Sequence, residues 1–320
     1  MELFYRLMTV PFSLRRERFS LPRDAAALSP LDRLTLVYVA FTTGVVIAHL
    51  VGWRHGGLPR QLGGSMLVAN GLLLVAAAIA PRARCTRSRG FIAEWYAAIV
   101  LVGLYAVVGL LNDPTAAPAP SFDTVVQGWD LRLFGEQVAY TWPRAMPSHW
   151  LAEFLSLCYL LFYAVGVGCP AVLWAIGRKA EARQAIFALL LTMFSCYAIF
   201  LLFPVAGPPY FWPWAEGPAW TGPFVTAARH VIDGGDSWGS AFPSSHVAGS
   251  VVALVFAFKG WRPLGWILLI PTLGILVAVV YLQIHYGIDA IAGLGMAALA
   301  SFIAPRLCPL TLAEPSSPEM

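Results

Sequence analysis

Charge is what this sequence has least of. Only 12% of its residues are Asp, Glu, Lys or Arg, against 58% that are hydrophobic; a soluble domain runs at about 25% charged and 45–50% apolar. With so little polar surface across 320 residues, and apolar runs this close together, no separate soluble domain fits, and the composition is that of one membrane-embedded helical bundle. Cysteine is scarce too. Cys85, Cys158, Cys169, Cys196 and Cys308 are an odd number with no metal-ligand spacing, which argues against a disulfide framework or a zinc site. The net charge of +4 is spread over many loops and gives no basic face for nucleic acid. No internal repeat stands out, which counts against a secondary transporter built from inverted halves. The N-terminal MELFYRLMTVPFSLRRERFSLPRD has its charges after a short apolar patch, unlike a cleavable signal. It reads as a basic amphipathic segment on the cytoplasmic surface, or as disorder.

What is present is a series of apolar stretches near the length of about 20 residues that a crossing needs. They lie at 34–53, 64–80, 91–111, 150–176, 184–204, 244–258, 264–282 and 286–304, with Pro170 placed to bend the fourth. The expected fold is all-α, a polytopic bundle of about eight transmembrane helices. With both termini cytoplasmic, only Arg54, Arg60, Arg132, Arg144 and Arg229 of the 21 Lys and Arg fall outside, as the positive-inside rule requires. The chain then divides into a basic N-terminal segment (1–33), accessory transmembrane helices (34–111), an outer loop with an interfacial helix (112–149), a C-terminal transmembrane core (150–305) and a cytoplasmic tail (306–320).

Both long loops are outer ones. The first opens on the proline-rich 112-NDPTAAPAPS-121 and continues as 122-FDTVVQGWDLRLFGEQVAYTW-142, whose helical spacing suits a helix along the outer leaflet or a loop packed on the bundle. The second, 204-PVAGPPYFWPWAEGPAW-220, is dense in Pro and aromatic residues and therefore rigid and irregular. Its aromatic rings suit a headgroup-level belt or the rim of a lipid entrance.

Two motifs carry chemistry, and the topology puts both on the outer side. In 243-PSSH-246, Ser244 or Ser245 caps a helix whose free N–H groups form an anion site, and His246 in that first turn can pass a proton to a leaving oxygen. Thirty-nine residues after His246 comes 285-HYGID-289. If the helix already runs through His285 and Asp289, the two lie one turn apart, and the carboxylate can take the imidazole Nδ1 proton and leave Nε2 as an oriented nucleophile. The plain alternatives are a solvated rim histidine and an ordinary serine cap. Ionisable groups at membrane depth are functional by default, however.

Together these motifs resemble the second and third signatures of the PAP2 (type 2 phosphatidic acid phosphatase) superfamily, PSGH followed by SRxxxxxHxxxD, over roughly residues 200–300. The resemblance implies His285 as the nucleophile that becomes phosphohistidine, Asp289 as its orienting carboxylate, His246 as the general acid, and Ser244 and Ser245 in the phosphate-cradling turn. Two features depart from it. Ala278 and Val279 stand where that pattern has Ser-Arg, and the upstream KxxxxxxRP signature is missing. An absent arginine removes a bidentate phosphate contact, and Arg229 is the candidate replacement. A branch of the superfamily without that arginine, the inositol phosphorylceramide synthase and sphingomyelin synthase-like phosphotransferases, is similar here. Its inositol phosphotransferase-like members resemble 203-FPVAGPPYF-211, which brings in Pro208 and Tyr210 as substrate-binding candidates, and 130-DLRLFG-135. The implied activity is metal- and cofactor-free transfer of a phospho-headgroup, such as inositol phosphate, from a phospholipid donor to a lipid alcohol acceptor. A lipid phosphate phosphatase using water is the alternative, and a lipid transporter or binding scaffold with pH-sensing histidines the more distant one.

Overall fold

The computed structural model describes residues 28–52, 60–83, 90–99, 101–113, 121–235 and 237–310. The expectations for the basic segment before residue 28, the proline-rich 114–120, Arg54, Arg84, Arg87, Arg89, Cys85 and the tail after 310 fall outside these residues. Among the described residues the chain is all-helical, with one isolated bridge between Val205 and Ser240.

The accessory helices come first. α1 (Pro30–Leu50) starts at Ser29, whose hydroxyl accepts the Asp32 N–H while the Asp32 carboxylate accepts the Ser29 N–H. This reciprocal cap is followed by a proline at the first position, where no N–H is needed. α2 (Arg60–Ala83) packs on α1, and Asn70 Nδ2 donates to Thr43 Oγ1 at 2.9 Å between them. α3 (Gly90–Ile99) and α4 (Leu101–Asn112) follow, and Tyr96 on α3 donates to the buried Asp32.

Next come two short helices, α5 (Asp123–Phe134) and α6 (Val138–Ala145). A single helix over 122–142 is therefore corrected: Gly135, at φ 76°, ends α5 in the left-handed conformation that glycine adopts without strain. α5 also buries Asp123, Val126 and Asp130 against the bundle while Leu131 and Leu133 stay exposed.

The fourth apolar stretch is broken into α7 (His149–Leu160), α8 (Phe162–Gly166) and α9 (Gly168–Ala175), with a 47° bend at Leu161. Pro170 is not the hinge. It sits in the first turn of α9, where its missing N–H would have had no helical partner. α10 (Lys179–Leu202) then runs to the Pro-rich loop, which is less irregular than its composition implies. It holds two 3₁₀ turns, Pro208–Tyr210 and Pro218–Trp220, and α11 (Pro223–Gly235). Glu153 caps α11 by accepting the Val225 N–H at 2.8 Å and the Phe224 N–H at 3.2 Å.

α12 (Ser245–Gly260) is central and packs on α10, α13 (Arg262–Tyr281) and α14 (Gly287–Leu307). Among the described residues four helices are long and apolar enough to cross a membrane, α1, α10, α13 and α14, and the bent α7–α9 stretch makes a fifth if it is one span. The chain has the character of an integral membrane protein. Apolar helices also occupy Gly63–Ile79, Gly103–Asn112 and Ser245–Gly260, each too short to pass alone. In lipid, helices associate by close packing more than by expelling water, and small residues sit at the tight crossings. A Cβ on Gly274 would lie 2.3 Å from Cys158 Sγ, and one on Gly293 only 2.6 Å from the backbone oxygen of Ser244.

Candidate active site

The two histidine motifs meet at one end of the α12–α14 pair. Ser244 is the N-cap of α12, and its hydroxyl accepts the Val247 N–H at 3.4 Å; Ser245 is the first helical residue, 7% exposed. The Ser244 N–H donates to the Asp289 carbonyl at 3.0 Å, so the cap of one helix is fastened to the first turn of the other. Gly293, one turn further along α14, lets the two backbones approach this closely.

His246 occupies the second position of α12 and is half-buried. Its ring packs against Phe162 and Tyr159, with centroids 4.5 and 5.1 Å away. These are the residues on either side of the bend at Leu161, so the break in that stretch delivers two aromatic rings to the histidine. His246 Nδ1 lies 3.4 Å from His285 Nε2.

His285 lies ahead of the helix that was expected to carry it. α14 begins at Gly287, with Tyr286 as its N-cap. The turn that presents His285 is closed by the Val279 carbonyl, which accepts the N–H groups of Ile284 at 3.0 Å and His285 at 2.8 Å. The Val279 and Ala278 side chains are fully buried in the core, so the backbone of position 279 shapes the site where its side chain cannot. Gln283 takes a left-handed φ of 60° in this turn and is pinned at both ends of its amide, accepting from Ala215 N at 2.6 Å and donating to Pro213 O at 3.2 Å. Such a conformation in a non-glycine residue persists only where its surroundings hold it.

The imidazole Nδ1 of His285 is 2.8 Å from the Ala241 carbonyl and 3.6 Å from Asp289 Oδ2. This corrects the expected partner. The longer distance is beyond a hydrogen bond, and the Asp289 oxygen accepts the Tyr286 N–H at 2.8 Å instead. A carbonyl can only accept, so Nδ1 carries a proton, and Nε2 is the ring nitrogen that faces His246. Asp289, completely buried, lies beside the imidazole without a hydrogen bond to it. Its Oδ1 has no hydrogen-bond partner among the described residues.

The remaining predicted residues lie around this centre. Pro208 and Tyr210 form the 3₁₀ turn after Gly207, Pro208 buried and Tyr210 50% exposed. Arg229, on α11, donates to the Ala215 carbonyl at 2.6 Å with its guanidinium 5.6 and 5.9 Å from the Trp214 and Trp220 ring centres. It shares the lining of a small cavity with Gln283 and Ser156, which puts it beside the turn that carries His285 and not on the imidazoles. Burial lowers its pKa, opposed by the charges of Asp233 and Glu216. Among the described residues no group of His, Cys, Asp and Glu has a metal-binding arrangement.

Sequence reasoning missed Ala241, whose role is a backbone carbonyl, as well as Tyr159, Phe162 and two buried carboxylates. Asp130 accepts the N–H groups of Ile288 at 2.7 Å and Gly287 at 3.2 Å; burial raises its pKa, and those two bonds pull it back down. Asp123 accepts from Ala206 N and Gly207 N, both at 2.8 Å, and from the Tyr286 hydroxyl at 2.9 Å. The available signal was their spacing: seven apart, they share one face of a helix.

A family model described as the PAP2 superfamily matches residues 130–303, a stretch that begins at Asp130 and contains both histidine motifs. No curated protein and no solved structure matches the chain.

Proposed function

The chain belongs to the PAP2 superfamily, and from that premise we propose that it is an integral membrane lipid phosphotransferase working through a phosphohistidine. Membership supports phosphatase or phosphotransferase chemistry on a lipid phosphate. The observation that carries the finer reading is the pairing of the His285 Nε2 lone pair with His246 Nδ1 at 3.4 Å, with the His285 proton held on Nδ1 by Ala241.

In the first step Nε2 of His285 attacks the donor phosphorus, and the N–P bond forms as the bond to the departing oxygen breaks. His246 gives that oxygen its proton. The Asp289 charge stabilises the imidazolium that develops on His285. In the second step the acceptor hydroxyl loses its proton to His246, its oxygen bonds to phosphorus, and the N–P bond breaks. A 3.4 Å contact leaves no room for phosphorus between the nitrogens, so donor binding turns the His246 ring aside, against Tyr159 and Phe162. Ser244, Ser245 and the free N–H groups of α12 cradle the phosphate. Pro208 and Tyr210 line the headgroup side, and Arg229 supplies a cation for the bound headgroup.

Transfer is favoured over hydrolysis by the enclosure of His285, only 3% exposed, and by the loss of the arginine at position 279. In this reading eight helices cross the bilayer, both termini are cytoplasmic, and the site faces outward. α12 spans 16 residues, about 24 Å at 1.5 Å per residue, against a hydrocarbon core of about 30 Å; its outer end sits below the headgroups, where a lipid phosphate reaches it laterally. The test is incubation of purified protein with labelled phospholipids, with and without inositol, diacylglycerol or ceramide as acceptor. A new phospholipid or sphingolipid whose yield follows the acceptor, unchanged by EDTA, is the expected product. Free phosphate alone would establish the phosphatase instead.

A further inference from the structure

α5 belongs to neither histidine motif, yet its two buried carboxylates direct almost all of their hydrogen bonds at the segments that hold His285. Asp130 takes the N–H groups of Gly287 and Ile288, the second and third residues after the histidine. Asp123 takes the Tyr286 hydroxyl, from the residue directly after it, and also accepts the Ser121 hydroxyl. Its other two bonds, from Ala206 N and Gly207 N, fix the strip beside Val205. Val205 in turn accepts the Ala241 N–H at 2.9 Å, and the Ala241 carbonyl holds the His285 Nδ1 proton at 2.8 Å. One helix therefore grips the histidine from both sides, through the backbone that follows it and through the carbonyl that sets its tautomer.

An ordinary helix start is satisfied by a neutral Ser or Asn, and an ionised carboxylate is costly to bury. Two fully or almost fully buried aspartates, 0% and 1% exposed, exceed what capping α14 requires. Charge-assisted bonds are shorter and stiffer than neutral ones, which matters where a small displacement of a reacting atom is costly. We infer that Asp123 and Asp130 are positioning residues that fix the direction of the His285 Nε2 lone pair. The inference rests on the reading of His285 as the nucleophile.

The test compares wild type with Asp123→Asn, Asp130→Asn and His285→Ala in detergent micelles, by 15N-histidine spectra, orthovanadate titration and turnover of whichever phospholipid the wild type uses. Wild type is expected to show His285 as a single Nδ1–H tautomer and to bind orthovanadate. In both asparagine variants the tautomer signal shifts or splits, orthovanadate binds about tenfold more weakly or worse, and kcat falls about 100-fold with KM within about twofold. A cap that was only structural would lower the melting temperature and leave the tautomer and the kcat-to-KM split unchanged. If the asparagine variants do not fold, Tyr286→Phe, which removes only the hydroxyl from Asp123, is expected to move the same readouts in the same direction by a smaller factor. A wild-type tautomer and orthovanadate affinity in every folded variant would overturn the inference and leave His285 as nucleophile. A His285→Ala protein that turns over lipid like the wild type would overturn the underlying reading instead.

Discussion

The Nδ1 proton of His285 is held by a backbone carbonyl, which leaves Nε2 as the nitrogen turned toward His246. The Ala241 oxygen at 2.8 Å selects the Nδ1–H tautomer, while Asp289 at 3.6 Å is beyond a hydrogen bond. Arg229 has the opposite relation to the site, since its side chain is held by Ala215 and flanked by two tryptophans beside the Gln283 turn. A cation there acts on a bound headgroup more than on the reacting phosphorus, so Arg229→Ala is expected to raise KM about tenfold while kcat stays within about threefold, as uniform-binding losses do. Steady-state kinetics on the donor lipid checks this; an equal fall in kcat and kcat/KM would assign Arg229 to the transition state. His246, His285, Asp289 and the Ser244 cap were legible in the sequence because each is a polar side chain at the mouth of an apolar run. Ala241 was not, because a carbonyl has no side-chain signature. Tyr159 and Phe162 read as ordinary residues of a span until the bend turns them onto His246.

At the scale of elements, the site is a product of two helix starts held together. The Ser244 N–H bonds to the Asp289 carbonyl, and the bare Cα of Gly293 lies under the Ser244 oxygen. Gly293→Ala forces a Cβ to within 2.6 Å of that backbone oxygen, and neither backbone can yield without moving a motif. The expected cost is about 1–3 kcal/mol, the usual range for overpacking, seen as a lower midpoint of thermal unfolding in detergent. An unchanged midpoint would mean that the α12–α14 contact is looser than this account requires. The positions of the apolar elements were readable because twenty-residue runs admit little else. Proline is the commonest cause of a kink, which points the sequence reading to Pro170, but the 47° bend falls at Leu161, and Pro170 sits in the first turn of α9. α11 was hidden inside a loop whose Pro and Trp content dominates its reading, and its start depends on Glu153, 71 and 72 residues upstream of the N–H groups it caps.

Across the whole molecule, the histidine core is buttressed from two directions. α5 clamps the start of α14 through Asp123 and Asp130. From the accessory side, the Tyr105 hydroxyl on α4 is 2.8 Å from Ser240 Oγ, and Asn112 Nδ2 donates to the Phe200 carbonyl at 2.9 Å. The first contact steadies the 237–243 strip that supplies Ala241, and the second ties α4 to the last turn of α10. These long-range dependences are why the sequence yields the chemistry of the site more readily than its geometry. The most direct test of the central claim is to quench wild-type protein and His285→Ala during turnover of a donor lipid labelled with 32P in its phosphate, and to measure acid-labile, base-stable label on the protein. Label is expected on a peptide containing His285 in the wild type, with neither label nor turnover in His285→Ala. Turnover at the wild-type rate in His285→Ala would contradict it.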